Sequence, residues 1–271
     1  MPVDNRRKIQ KNSCAPALAA GLNPAPQLPH VPIQSVEGLR AHLSRVARRP
    51  TKPGRPFITI SYAQSVDGSI ASRNRSQLHL SSPQALALTH QIRASCDSIL
   101  IGIGTVLADN PRLTVRLVAG ANPQPIILDT RLRIPLNANL LCRRHASPWI
   151  INGPDNARRQ RAALKKAGAT PLSCATAADG KIDLDRLMAL LTERQINSIM
   201  VEGGAQVITS FINAQLVDQF IITITPKLVG GLPVLDPNRL TTASHLNLGD
   251  VQYQQLAGDL IMWARPLWDS Q

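Results

Sequence analysis

Aromatic residues are scarce in this chain, at 3% of 271 positions, and its four cysteines (Cys14, Cys96, Cys142, Cys174) never stand in a CxxC pair. The first shortage leaves few stacking platforms for a single strand. No zinc-finger or RNA-recognition signature occurs, so nucleic acid is not an expected partner. The second removes the spacing of a structural zinc site or a disulfide framework. Cys96 and Cys174 fall in or beside apolar segments and read as small core residues. Also missing is an apolar run long enough to span a bilayer. The start from Met1 to Lys11 is polar and basic and holds no signal-peptide core. A reducing, cytoplasmic setting with no membrane partner is therefore expected. Two nucleotide motifs are absent as well. Gly102-x-Gly104 runs on to Leu107 where the dinucleotide fingerprint needs a third glycine, and there is no P-loop. Neither an HxxxH pair nor a Ser–His–Asp order stands out, so no metal and no hydrolase site are expected.

The charge is uneven. Lys and Arg total 30 against 17 Asp and Glu, a net +13. Residues 1–53 hold nine of the bases and two of the acids, so +7 of the excess lies in one fifth of the chain. The rest carries a modest excess, which suits an anionic, phosphorylated ligand. Nine prolines fall in residues 1–56, and residues 1–34 show no apolar period. Residues 1–53 thus read as a basic, proline-rich extension, largely disordered over 1–34. Within it, Val36 to Ala47 fits a short basic helix with Leu39, Leu43 and Val46 on one face, read as a solvated arm docked on the surface.

From Arg55 strand and helix patterns alternate. Phe57–Ala63, Ser98–Gly102, Pro125–Asp129, Pro148–Asn152, Ser198–Glu202 and Val217–Ile224 read as strands. Ser82-Pro83 caps a helix to about Ala94, a basic helix near 155–167 stops at Gly168, and Asp183 opens another. A helix over 204–214 and a terminal hairpin around Gly258-Asp259 complete the series. Such alternation predicts an α/β domain over residues 54–271: a mainly parallel mixed sheet, helices on both faces, and a C-terminal antiparallel hairpin.

Two places in that pattern carry chemistry. Gly102-Ile103-Gly104-Thr105 through Asp109-Asn110-Pro111, and Val201-Glu202-Gly203-Gly204, are apolar runs ending in glycines beside a carboxylate. Each falls where a strand ends, the crevice in which α/β proteins bind ligands. Gly203-Gly204 would let backbone N–H groups and a helix N-terminus approach a pyrophosphate, or would simply be a tight turn. Thr105 and Asp109 read as loop residues. Asp109 would accept from a sugar hydroxyl or would cap its own turn. Arg93 and Arg116 have the fork geometry for a phosphate monoester if they converge. Arg112 and Arg131 read as solvated. His90 reads as a packing or solvent-facing residue within its helix, with acid–base work the alternative for it and for His79.

The run Tyr62-Ala63-Gln64-Ser65-Val66-Asp67-Gly68, then Ser81-Ser82-Pro83, Arg93-Ala94, Thr105-Val106-Leu107-Ala108-Asp109-Asn110-Pro111 and Leu113 to Arg116 resembles the pyrimidine reductases of riboflavin biosynthesis. Ile126 to Asp129, Val201 to Gly204, Leu216 to Asp218 and Pro226 to Gly231 continue the likeness in the same order, from about Pro56 to Ala264. The resemblance implies a dihydrofolate-reductase-like fold, a homodimer and NADPH as cofactor. It implies a reaction in which the ribosyl group of a ribosylaminopyrimidine 5′-phosphate becomes ribityl. The sugar opens to an imine, and hydride reaches its C1′. By position, Ala63, Thr105, Asp109 and the run Gly204, Ala205, Gln206, Val207, Ile208, Thr209, Ser210 match cofactor contacts. Arg93, Leu113, Arg116 and Glu202 match substrate contacts, with the two arginines toward the phosphate. Asp109 and Glu202 are the catalytic candidates, orienting the open sugar.

Some positions depart from the pattern. Residues 1–53 are too short for the deaminase domain that precedes the bacterial reductases, and lack its zinc signature, so a stand-alone reductase is expected. Those enzymes carry lysine two residues before the position of Ala63. Here that position is Ser61, and the run Tyr62-Ala63-Gln64-Ser65 resembles the fungal type, which reduces the 2,5-diamino substrate before deamination. Where the family often has an aromatic residue, this chain has His79. Two other readings stay open: a related oxidoreductase acting on another nucleoside or a pterin, and a non-catalytic nucleotide-binding relative. Retention of Arg93, Arg116 and Glu202 speaks against the first, and the intact Glu202-Gly203-Gly204 turn against the second.

Overall fold

A computed structural model of the chain describes residues 35–48, 54–74, 78–142, 146–155, 158–238, 240 and 245–268. The expected disorder of 1–34 lies outside these residues. The compact unit considered below runs Ile33–Gln271. In chain order its elements are α1 (Val36–Arg48), β1 (Phe57–Ser65), β2 (Ser69–Ala71), α2 (Pro83–Ser95), β3 (Ser98–Gly102), α3 (Ile103–Asp109), β4 (Gln124–Leu128) and β5 (Trp149–Asn152). Then come α4 (Arg158–Lys166), β6 (Thr170–Ser173), α5 (Leu184–Glu193), β7 (Ser198–Val201), α6 (Ala205–Asn213), β8 (Gln219–Thr225), β9 (Leu232–Pro233), β10 (Asn247–Leu256) and β11 (Asp259–Leu267).

Nine strands form one sheet in the order β10-β11-β8-β1-β7-β3-β4-β5-β6. From β8 to β6 every pairing is parallel; β11 runs antiparallel to β8, and β10 to β11. This is the expected α/β class with its antiparallel C-terminal hairpin. Strand periodicity sorts the core. Ile58, Ile60, Leu100, Ile126, Ile151, Ile199, Val201, Phe220 and Ile222 face one side and pack with α5 and α6. Their neighbours one position along face the other side. There Ile99, Ile101, Ile127 and Ile150 meet Leu164 of α4, while Met200, Ile221, Ile261 and Trp263 meet α1 and α2. Alternation at period two is what puts a helix layer on each face.

The caps behave as their chemistry dictates. Ser82 accepts from the Ala85 N–H ahead of Pro83, and Asp183 accepts from the N–H groups of Asp185 and Arg186. Gly168 adopts a φ of +91 beyond the end of α4, a conformation that favours glycine.

Two expectations are corrected. α1 is not a solvated arm: Leu39 and Leu43 are fully buried beside Leu88 and Ile92 of α2 and Met200 of β7. The body of the protein therefore begins before residue 54. The exposed Arg40 and Arg45 lie off that face and make the helix read as basic, which hid its buried side. Leu39→Ala should cost about 2–5 kcal/mol of unfolding free energy, the range for a buried leucine. Denaturant titration reads it, and a loss below about 0.5 kcal/mol, the surface range, would return α1 to the surface.

The second correction concerns Thr105 and Asp109, which lie on helix α3 rather than in a loop. Ile103 and Val106, three apart, bury one face of it. Asn110, in the left-handed region at φ 41, ends the helix, and its N–H donates to the Val106 carbonyl. The turn-capping role considered for Asp109 thus belongs to Asn110. The Asn110 side-chain oxygen accepts from the Asn139 N–H at 2.8 Å, and its carbonyl accepts from the Asn139 amide at 2.8 Å. The Asp109 carboxylate makes no hydrogen bond among the described residues.

Candidate active site

Strands β1, β7, β3 and β4 lie side by side and end together. Their C-terminal ends supply Ser61 to Ala63, Glu202 to Gly204, Gly102 and Leu128 to one cleft of about 1760 Å³. A single small-molecule site occupies roughly 300–1,000 Å³, so this cleft has room for two ligands side by side. α3 contributes Thr105 and Asp109, and α6 contributes Ala205, Gln206, Val207 and Ser210.

The glycines of the two motifs have different reasons. A Cβ on Gly102 would stand 2.7 Å from Val207 Cγ2, so glycine there lets α6 sit on the end of β3. A Cβ on Gly203 or Gly204 would meet nothing of the protein closer than 3.7 Å. Gly204 has an ordinary φ of −66. Neither backbone conformation nor internal packing requires glycine at these two positions. What they leave is open cradle above the first turn of α6, whose N-cap Gly204 offers no capping side chain. Thr105 Oγ1 takes the Gly204 N–H at 3.2 Å and fixes the turn. A cradle with a helix N-terminus at its floor fits a pyrophosphate.

Beside the cradle, Glu202 faces Arg93, the basic residue in the last turn of α2. Arg93 Nε donates to Oε1 at 2.7 Å and Nη2 donates to Oε2 at 2.6 Å, a bidentate pair. Only 11% of the Arg93 side chain and 18% of the Glu202 side chain are exposed. The third contact of Arg93, from Nη1, goes to the Thr114 carbonyl at 3.2 Å. Burial works against the Arg93 charge, and the Glu202 charge and hydrogen bonds outweigh it, raising the pKa overall. Burial raises the pKa of Asp109.

Most of the sequence-derived site comes together here. Ala63, Arg93, Thr105, Asp109, Leu113, Glu202, Gly204, Ala205, Gln206, Val207 and Ser210 all line the cleft. Ile208 and Thr209 do not; their side chains are buried in the core beneath α6, where Thr209 Oγ1 accepts from the Asp236 N–H. Arg116 is exposed at the margin, its Nη1 on Thr114 Oγ1 at 2.8 Å, and is not part of the lining. Arg131, read as solvated, is exposed but does line the cleft. His79 is exposed outside it, with its carbonyl accepting from Lys227 Nζ at 2.6 Å. Ser61 is buried and lines the cleft.

One feature escaped the sequence. β2 and β9 pair as a small flap whose Ile70, Ala71, Leu232 and Pro233 wall the cleft. The carboxylate of Asp67 ties it down. Oδ1 accepts from Ser65 Oγ and the Val229 N–H, and Oδ2 accepts from Ser69 Oγ and the Gly230 N–H. Those hydrogen bonds hold its pKa well below the usual carboxylate range. Asp67-Gly68 and Gly230-Gly231 were both legible as motifs; that one carboxylate joins them, 163 residues apart, was not.

Residues 56–262 match the family model of the RibD C-terminal domain, and the chain belongs to that family. It is 34% identical over 245 residues to the 2,5-diamino-6-ribosylamino-4(3H)-pyrimidinone 5′-phosphate reductase of Debaryomyces hansenii, covering 84% of this chain and 96% of that protein. It is 31% identical to the riboflavin biosynthesis protein RibD of Aquifex aeolicus over 77% of its own length, and spans 57% of that protein. Among solved structures it superimposes on the riboflavin biosynthesis reductase Rib7 of Saccharomyces cerevisiae with a TM-score of 0.68. That match has 29% identity and covers 84% of this chain and 97% of that one. The family is one of pyrimidine reductases of riboflavin biosynthesis. Among the described residues no helix is long and apolar enough to cross a membrane.

Proposed function

We propose that this chain reduces the ribosyl group of a ribosylaminopyrimidine 5′-phosphate to ribityl with NADPH, favouring the 2,5-diamino form, and works as a homodimer. The observation that carries this reading is the Gly203-Gly204 cradle, which glycine's own geometry does not explain, set beside Glu202 and Asp109 in one cleft. The name of the relative in Debaryomyces hansenii supports the substrate class.

When bound, the nicotinamide supplies the hydride; the rest is the work of this chain. Gly204 and the first turn of α6 hold the pyrophosphate, and Ala63 and Thr105 lie along the same cofactor side. Arg93 fixes the Glu202 carboxylate by two bonds, so that carboxylate meets the sugar hydroxyls in a single orientation. The Asp109 carboxylate, which has no hydrogen-bond partner among the described residues, is free to orient the opened sugar. Leu113 shapes the substrate side, and Arg116 at the margin meets the phosphate.

The choice between pyrimidines falls to Ser61. Its hydroxyl can accept from an amino group as well as donate, whereas a lysine only donates. Consumption of NADPH, measured with the diaminopyrimidinone and the aminouracil phosphates side by side, should favour the diamino compound. Ser61→Lys should shift the ratio of kcat/KM toward the aminouracil by about tenfold or more, since a mispaired buried group costs about 1–3 kcal/mol. Equal turnover of both compounds by wild type and variant would contradict the assignment. A solution mass of one chain would contradict the dimer.

A further inference from the structure

Helix α2 carries two side chains one turn apart, His90 and Arg93, that reach the same short stretch of chain. Arg93 Nη1 donates to the Thr114 carbonyl at 3.2 Å, and His90 Nδ1 accepts the backbone N–H of Arg116 at 2.9 Å. The 114–116 segment is thus held at both ends. Thr114 in turn receives the Arg116 guanidinium on its hydroxyl and carbonyl oxygens, which folds that side chain back along the segment. At its head, Leu113 is buried at a φ of 49, a region a bulky residue enters only when its surroundings impose it.

His90 is fully buried, and its Nε2 has no hydrogen-bond partner among the described residues. With Nδ1 accepting an N–H, the neutral ring carries its proton on Nε2. The position therefore buries an unpaired donor in order to present Nδ1. An apolar side chain would fill the space without that cost. Burial, then the charges of Arg93 and Arg116 against the opposing charge of Glu202, push the His90 pKa down to about 4. The Nδ1 lone pair is accordingly available at neutral pH.

We propose that His90 is a positioning residue for the substrate's sugar phosphate: it fixes the Arg116 backbone, and so sets where the Arg116 guanidinium and the Leu113 side chain meet the ligand. It does not touch the ligand itself. The assignment rests on the proposed reaction, because that reading gives the phosphate to Arg116.

The test uses the full chain with His90→Leu and His90→Asn, the second placing an amide oxygen near the position of Nδ1. KM for the pyrimidine phosphate, KM for NADPH and kcat are measured, together with the Kd of ribose 5-phosphate by calorimetry. His90→Leu should raise the pyrimidine KM and the ribose 5-phosphate Kd about tenfold, the scale of one lost buried hydrogen bond. Its kcat and NADPH KM should stay within about twofold, well under the tenfold that one such bond represents. His90→Asn should recover most of the loss. Should His90→Leu not fold, His90→Gln replaces it, since its amide oxygen reaches toward the place of Nε2, and the same contrast with His90→Asn is expected. Equal defects in the paired variants, a parallel rise in the NADPH KM, or no binding of ribose 5-phosphate by wild type would overturn the proposal. If the variants change the ribose 5-phosphate Kd in this pattern but wild type reduces neither pyrimidine phosphate, the reaction is wrong and the role of His90 stands.

Discussion

Glu202→Gln should lower kcat/KM for the pyrimidine phosphate by about 10²–10³-fold while leaving NADPH affinity within about threefold, since loss of one charged group aimed at the reacting centre costs about 2.7–4 kcal/mol. The Glu202 carboxylate is held by two bonds of 2.6 and 2.7 Å from Arg93. Glutamine keeps the shape and one acceptor oxygen but turns an NH₂ toward a guanidinium N–H. The pair loses its charge match and its fork geometry together, and Arg93 is left largely buried beside a neutral group. A folded variant with unchanged steady-state constants would show that the pair is structural only. So would a variant whose NADPH and pyrimidine affinities fall in parallel.

The second large effect is expected at the cradle. Gly204→Val should raise the NADPH Kd about tenfold or more, one factor of ten for each ~1.4 kcal/mol of lost approach. The fold should tolerate the change: φ is −66 and the nearest atom to a Cβ is Thr105 Oγ1 at 3.7 Å. Gly102→Val is the matched contrast. Its Cβ would stand 2.7 Å from Val207 Cγ2, so the cost falls on the seat of α6 and appears in the melting temperature. Unchanged NADPH titration by a folded Gly204→Val protein would leave the cradle as an ordinary turn.

How far the sequence carried depends on the range of the signal. Strand alternation, the Ser82-Pro83 cap, Asp183 and Gly168 are local, and the sheet and most helices followed from them. α3 was missed because it has only seven residues, includes Gly104 and runs into Asp109-Asn110-Pro111, all of which read as loop. β6 holds Pro171, and β9 has two residues, so neither carries a usable alternation. In the site, residue types beside strand ends were legible. Their pairing was not: Arg93 and Glu202 are 109 positions apart, and nothing local says that one arginine of the pair holds a carboxylate while Arg116 stays at the margin. For His90 the sequence left packing and solvent exposure equally open; its burial and its bond to the Arg116 N–H belong to tertiary structure alone. The resemblance supplied positions, Ile208 and Thr209 among them, that the structure sets into the core rather than the cleft.

The central claim is that this cleft brings NADPH and a ribosylaminopyrimidine phosphate together for reduction of the sugar. It is tested most directly by incubating the chain with the 2,5-diaminopyrimidinone ribosyl phosphate and NADPH deuterated at the transferring position. The product is then read by mass spectrometry and NMR. The expected result is a ribityl product with deuterium on the carbon attached to the amino nitrogen, formed in step with NADPH loss and suppressed in Glu202→Gln. Deuterium remaining on the nicotinamide, with the ribosyl compound recovered intact, would contradict it.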